Sequence, residues 1–247
     1  MKAIILCAGY GKRLQPFTYT YQKTMLPLHG KPLLEYIIEG LTYSGFKDIV
    51  LVVGFKKEQI IDYFQKGRKW GINIEYVIQN DINGTGGALL ICESVIKNHH
   101  FFITWGDILV PYRIYKEVLE IFNKENQNFI LVANYAKDPY KGAAIYYRED
   151  YCMKIVEKPP KGISISNYNN CGVFILSTEI FKILRMLKYS NRGEIELPQA
   201  INKGILERQW KVRLLKMSKK QFRGDFGDKE EYETLKKDSN WLKLLIS

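Results

Sequence analysis

No run of this chain approaches the roughly eighteen consecutive apolar residues that a membrane-spanning helix requires. The N-terminal apolar run Ala3 to Ala8 follows a single lysine and has no cleavage-type tail, so neither a membrane partner nor a secretory leader is expected and the reading is a cytoplasmic protein. Cysteine is scarce: Cys7, Cys92, Cys152 and Cys171 stand far apart among apolar or small neighbours, with no CxxC pair and no Cys/His cluster. That pattern argues for buried thiols rather than disulfides or a metal centre. Repeats, low-complexity tracts and Pro/Gly-rich linkers are also missing, so no clean domain boundary is visible. Acidic residues are the minority sign, 26 Asp plus Glu against 37 Lys plus Arg, for a formal net charge of +11. An anionic partner suits that balance. The lysines are dispersed and no RNP, zinc-finger or helix-turn-helix signature accompanies them, so nucleic acid is not the expected partner.

The 247 residues, 46% of them hydrophobic, suffice for one sizeable core. Short apolar runs alternate with amphipathic segments. "KAIILCAG" reads as a buried strand, "PLLEYIIEGLTYSG" as a helix, "DIVLVVG" as a second strand, "KEQIIDYFQK" as a helix and "INIEYVIQ" as a third strand. "GTGGALLICESVIK" follows as loop into helix, then "HFFITWGD" as strand and "YRIYKEVLEIFNKE" as helix. Continuous apolar strands between helices predict a mostly parallel sheet covered on both faces. From about residue 129 the strands "FILVANY", "GAAIYYRE", "CMKIVEKP" and "CGVFILS" come in closer succession, giving the second half an α+β character. "DKEEYETLKKDSNWLKLL" is expected to be one helix, with Asp228 and Glu231 as its capping box.

Ligands of an open parallel sheet bind beyond the carboxyl ends of its strands. There lie "AGYGKRLQPFT", "QNDINGTGG" and "WGD". The first offers backbone amides that can approach an anion closely, with the cations Lys12 and Arg13 beside them. The second offers Gln79, which can donate to and accept from the edge of a base, followed by small residues. The third sets Asp107 at a strand end, a hard carboxylate suited to Mg²⁺.

Taken with "QKTMLPLHGKPLLEY", "VEKP", "NCGVFIL" and "GDFGD", these stretches resemble, in order and spacing over residues 1 to about 235, the sugar-1-phosphate nucleotidylyltransferases, or nucleotide-sugar pyrophosphorylases. The resemblance implies a Rossmann-like three-layer αβα fold with a mixed, mostly parallel central sheet. It implies a single nucleotidylyltransferase domain over 1–247, its NTP-binding part about 1–125 and its sugar-phosphate-binding part about 126–247, with no β-helix domain. The implied reaction is attack of a sugar-1-phosphate oxygen on the α-phosphorus of an NTP, releasing pyrophosphate. Arg13 and Lys23 are the implied catalytic cations; Ala8, Gly9, Gly11, Lys12, Gln79, Gly84 and Thr85 bind nucleotide. Gly142, Glu157, Lys158 and Asn170 hold the sugar phosphate, and Asp107 with Asp225 holds Mg²⁺. A mannose- or heptose-like sugar with GTP, or glucose with UTP or dTTP, fits the pattern, and a homo-oligomer is compatible with it. A cytidylyltransferase acting on another phospho-alcohol and a silent nucleotide-sugar-binding regulatory subunit stay open as alternatives.

Several positions depart from that pattern. Lys12 replaces a small hydroxyl residue, Arg223 replaces a tryptophan, and Gln22 replaces a proline, a change expected to loosen the loop before Lys23. Pro198 and Gln199 stand where Thr-Asp is usual, so a carboxylate expected there is missing.

Overall fold

Buried apolar runs become strands and one-sided apolar stripes become helices, in the order the sequence suggests. The computed structural model describes residues 1–227 and 229–246. Along the chain lie β1 (Ala3–Leu6), α1 (Phe17–Thr20), β2 (Pro27–Leu28), β3 (Lys31–Pro32), α2 (Leu33–Tyr43), β4 (Asp48–Val53), α3 (Lys57–Phe64) and β5 (Asn73–Ile78). Next come α4 (Thr85–Leu90), β6 (His100–Trp105), β7 (Ile108–Leu109), α5 (Tyr112–Glu125), β8 (Phe129–Tyr135), β9 (Ala143–Arg148), β10 (Tyr151–Glu157) and β11 (Tyr168–Ser177). The chain continues through α6 (Ile180–Leu184), α7 (Leu197–Arg208), β12 (Val212–Lys216), β13 (Gly224–Asp225), α8 (Lys229–Lys237) and α9 (Trp241–Ile246). Two compact units result: residues 1–82, 104–117 and the stretch from 221 onward form the first, and residues 83–103 and 118–220 the second.

In the first unit β4 runs parallel to β1 on one side and to β5 on the other, with Ala3 opposite Ile49 and Val53 opposite Ile78. Ile4, Ile5, Val50, Leu51 and Val52 are wholly buried, as parallel strands covered on both faces must be. Parallel register ends all three strands on the same side, so the segments after Leu6, Val53 and Ile78 gather there. Helix α2 buries Leu33, Leu34, Ile37, Ile38 and Leu41. Its Gly40 lets the rings of Tyr112 and Tyr115 come to 2.7 and 2.8 Å from where a Cβ would stand. At the C-terminus the expected single helix is two, because Asp238 accepts the N–H of Asn240 at 2.9 Å and turns the chain between α8 and α9. Asp228 of the expected capping box lies outside the described residues.

The second unit is wired differently. β8 pairs antiparallel with β11 and parallel with β12, while β10 pairs antiparallel with both β12 and β9. The parallel pattern expected of the whole sheet therefore describes the first unit, and the second unit is mostly antiparallel. β11 begins earlier than expected and its register breaks between Asn170 and Phe174, around Gly172 at φ +75°. Such a bulge re-aims neighbouring side chains. Helix α7 is anchored by Trp210, whose ring stacks on Phe129 at 4.1 Å and fills the space beside Gly204.

Candidate active site

The glycine-rich loop opens where β1 ends. Phe55 donates its N–H to the Ala8 carbonyl at 3.1 Å, and Gln79 donates its N–H to Val53 at 2.8 Å. Between them Gly54 sits so tightly that a Cβ would lie 3.0 Å from Ala8 Cβ, Ala8 O and Gln79 O. Gly54, which sequence reasoning treated as the tail of a strand, is thus what allows Ala8 and Gln79 to approach each other. Gly9 faces open space, with nothing within 4 Å of a Cβ placed on it. Gly11 takes the left-handed conformation, φ +64°, and starts the 3-10 turn Lys12–Leu14. Among the described residues, the N–H groups of Gly9 to Arg13 bond to no carbonyl, an arrangement suited to receiving an anion. Lys12 extends over the Tyr10 ring, 5.6 Å from its centroid.

Lys23 and Asp107 form an ion pair. Burial alone would raise the Asp107 carboxyl, but the Lys23 charge and hydrogen bond, with a further contribution from Arg223, hold it below the ordinary carboxylate value. Asp225 comes from far along the chain, yet β13 pairs with β7 so that Asp225 stands opposite Ile108, and Phe226 donates its N–H to the Asp107 carbonyl at 2.9 Å. Its carboxylate accepts from Arg223 Nη2 and from the Gly227 N–H, both at 2.9 Å, and its own N–H donates to Glu231 Oε1. Arg13 Nη2 lies 3.1 Å from where a Gly227 Cβ would be, so the arginine reaches the turn that holds Asp225. The ion-pairing role of Arg223 was not legible as a mere exchange for tryptophan. Two carboxylates, one on β13 and one just before its partner strand β7, supply hard oxygen donors. No group of three His, Cys, Asp or Glu able to hold a metal exists among the described residues. A cation here would complete its shell from water or phosphate, which is the habit of Mg²⁺, and the donor set fits that ion.

The turn carrying Lys23 is not loosened by Gln22. That side chain is wholly buried and hydrogen-bonded at both ends of its amide, so the expectation of a slack loop is overturned: paired hydrogen bonds replace the rigidity that a proline ring would give.

In the second unit Gly84, at φ +99°, and Thr85 begin α4 against the segment before α7. Gly84 has Ile195 O 2.6 Å from where a Cβ would stand, and Thr85 Oγ1 accepts the Leu197 N–H at 3.0 Å. Gly142 is bare because Asn169 Oδ1 occupies the space a Cβ would need. Its N–H donates to Pro139 and its carbonyl accepts from Lys158 N–H. Lys158 is exposed, and Glu157 ends β10 with Arg192 Nη2 at 3.5 Å. Burial first, then the nearby Glu196, push the Glu157 carboxyl up to about 7 against the opposing charge of Arg192. Glu196, wholly missed from sequence, is a buried carboxylate held by Arg192, Ser190 and Gln199. It stands just ahead of Pro198 and Gln199, separated from them by Leu197 at the start of α7, and only that place could have signalled it. Asn170 is 1% exposed, accepts from Gly172 N–H through Oδ1, and keeps Nδ2 without a partner among the described residues.

Comparison with known proteins extends these observations. The chain is 38% identical over 205 residues to the bifunctional protein GlmU of Methanococcus maripaludis, covering 83% of this chain and 47% of that protein. It is 37% identical over 217 residues to a bifunctional sugar-1-phosphate nucleotidylyltransferase/acetyltransferase of Sulfurisphaera tokodaii, covering 87% and 50%. The chain spans about half the length of the curated relatives it matches. Among solved structures, a UDP-glucose pyrophosphorylase complexed with UDP-glucose superposes with a TM-score of 0.85 at 26% identity, over 96% of this chain and 97% of that one. The family model described as nucleotidyl transferase matches residues 2–240, and the chain belongs to that family.

Proposed function

We propose that this protein transfers a nucleotide monophosphate from an NTP to a sugar-1-phosphate, giving an NDP-sugar and pyrophosphate. What supports the reading is one arrangement: Asp107 and Asp225, far apart in sequence, stand on the paired strands β7–β13 and their flanks, with Lys23, Arg223 and Arg13 around them. The attacking phosphate oxygen is already ionised, so the reaction needs orientation and charge neutralisation rather than a dedicated base. Arg13 and the free amides of the glycine loop hold the triphosphate and stabilise charge on the departing pyrophosphate. Lys23 neutralises the phosphates that meet in the transition state. Asp107 and Asp225 would hold Mg²⁺, which when bound offsets phosphate charge and polarises the α-phosphate.

Ala8, Gly9, Gly11, Lys12, Gln79, Gly84 and Thr85 serve the nucleotide in this reading. Gly142, Glu157, Lys158 and Asn170 serve the sugar phosphate. A carboxyl that titrates near neutrality, as Glu157 does, can donate to one hydroxyl and accept from another. Asn170 Nδ2 supplies a further donor. The UDP-glucose bound by the solved relative supports glucose-1-phosphate with UTP as a first pair to try, with mannose- or heptose-like sugars and GTP next. We further take the chain to work in the cytoplasm as one three-layer αβα domain, with NTP bound by residues about 1–125 and sugar phosphate by about 126–247.

The test is pyrophosphate release in the presence of Mg²⁺ across a matrix of NTPs and sugar-1-phosphates. Turnover of at least one pair is expected. Nucleotide-sugar binding with no release from any pair would overturn the transferase reading and favour a silent binding subunit.

A further inference from the structure

Gln22 opens the turn that carries Lys23, and both ends of its side-chain amide are hydrogen-bonded. Nε2 donates to the Cys7 carbonyl at 2.5 Å, while Oε1 accepts from the Thr24 N–H at 2.5 Å and from Thr24 Oγ1 at 2.7 Å. The backbone N–H of Gln22 donates to Gln59 Oε1 at 2.7 Å. A proline could make none of these bonds, having neither an N–H nor a side-chain amide. One residue thereby ties the end of β1, where the glycine loop departs, to the first residues of the lysine turn. Packing around the tie is close. Lys23 Cβ lies 3.1 Å from where a Gly11 Cβ would stand, and at Gly106, just before Asp107, Cys7 Sγ and Thr24 Cγ2 lie 2.8 and 3.0 Å from the equivalent point. The glycine loop, Lys23 and the approach to Asp107 are therefore one packed cluster with a buried amide at its centre.

We infer that Gln22 is a positioning residue for nucleotidyl transfer: it holds the Lys23 ammonium against Asp107 and sets its distance from the glycine loop. The inference rests on the reading of Lys23 as the cation that neutralises the reacting phosphates. Displacement of such a group by about 1 Å can cost on the order of a hundredfold in rate. Loss of this buried amide also leaves its former partners, the Cys7 carbonyl and the Thr24 N–H and hydroxyl, unsatisfied.

Gln22→Met preserves length and removes every side-chain hydrogen bond. Gln22→Glu preserves the acceptor for Thr24 but turns a carboxylate toward the Cys7 carbonyl, and it carries the test should the methionine variant fail to fold. Two readouts apply to the full chain, with folding checked by circular dichroism. One is kcat and KM for the NTP and sugar-1-phosphate pair that turns over. The other is the rate at which pyridoxal 5′-phosphate labels Lys23, followed by mass spectrometry. The expected result is a kcat lower by about tenfold to a hundredfold with NTP KM within about threefold. Lys23, released from its pair, should label at least about threefold faster while distant lysines keep their rates. Unchanged labelling of Lys23 in a folded variant would overturn the positioning role alone. Faster labelling with an unchanged kcat would instead overturn the role of Lys23 in the chemistry, and with it the reading of the site.

Discussion

Asp107 in the first unit and Glu157 in the second are both carboxyls at strand ends, and their surroundings drive them in opposite directions. Beside Asp107 a lysine ammonium outweighs burial and keeps the group ionised. Beside Glu157 burial is joined by a second carboxylate, and the group is pushed up to about 7 despite Arg192. Burial raises both carboxyls, and the balance of the neighbouring charges decides the outcome: Lys23 outweighs burial at Asp107, whereas Arg192 does not at Glu157, where Glu196 adds to burial. An ionised carboxylate suits a metal and a half-protonated one suits hydroxyls, so the two units are built for different ligand chemistries.

Breaking the ionised side of the comparison should have the largest effect. Asp107→Asn is expected to lower turnover by about a thousandfold or more in a Mg²⁺-dependent pyrophosphate-release assay, while the melting temperature moves by only a few degrees. Near-normal turnover would remove Asp107 from the chemistry. Arg13→Ala is expected to cost about a hundredfold in kcat with little change in sugar-phosphate KM, because its charge opposes that of the departing pyrophosphate. An effect confined to sugar KM would contradict its place in the triphosphate clamp.

The protonated side is sharpened by Glu157→Gln. The unfolded carboxyl loses its proton near 4.5 whereas the folded one keeps it to about 7, so across that interval the folded state binds more protons. Stability from this group is present in full below 4.5 and is lost as pH rises through 7. The glutamine variant should therefore melt a few degrees above the parent at pH 8, at about 2–4 °C per kcal/mol for a chain of this size, with the gap closing at pH 4.5. Its sugar-phosphate KM should stay within about threefold, since the glutamine amide offers both the donor and the acceptor of a protonated carboxyl. A variant that melts lower at pH 8 would show the carboxyl to be stably ionised. The smallest change is expected from Lys12→Thr: its exposed ammonium lies over Tyr10, and NTP KM should shift by less than about threefold at moderate salt.

Much of the first unit could be read from its residues. Runs such as "AIIL" and "IVLVV" are apolar throughout because both faces are covered, and Lys23, Asp107 and Asp225, singled out by the motifs around them, are brought near one another. What escaped reading depends on side chains meeting across long sequence gaps. Gln22 looked like a loosened proline because its partners Cys7 and Gln59 lie 15 and 37 residues away. Glu196 passed unnoticed since its worth comes from Arg192 and from burial, neither visible in "ELPQAI". The break between α8 and α9 was signalled by "DSN", whose Asp238 side chain offers the backbone an alternative to the helix.

The ladder between β7 and β13 has a consequence for how activity would fail. It is only two residues long, and with the bond from Phe226 N–H to the Asp107 carbonyl it is what brings the two acidic residues side by side. The ladder does not hold alone: Phe226, Tyr232, Trp241 and Leu245 are buried, and the Tyr232 hydroxyl donates to the Pro27 carbonyl at 3.1 Å. The placement of Asp225 beside Asp107 therefore depends on aromatic packing that involves neither carboxylate, Tyr232 on Phe17 and Trp241 on Tyr36. A substitution that loosens either ring contact would be felt at the carboxylate pair without touching it.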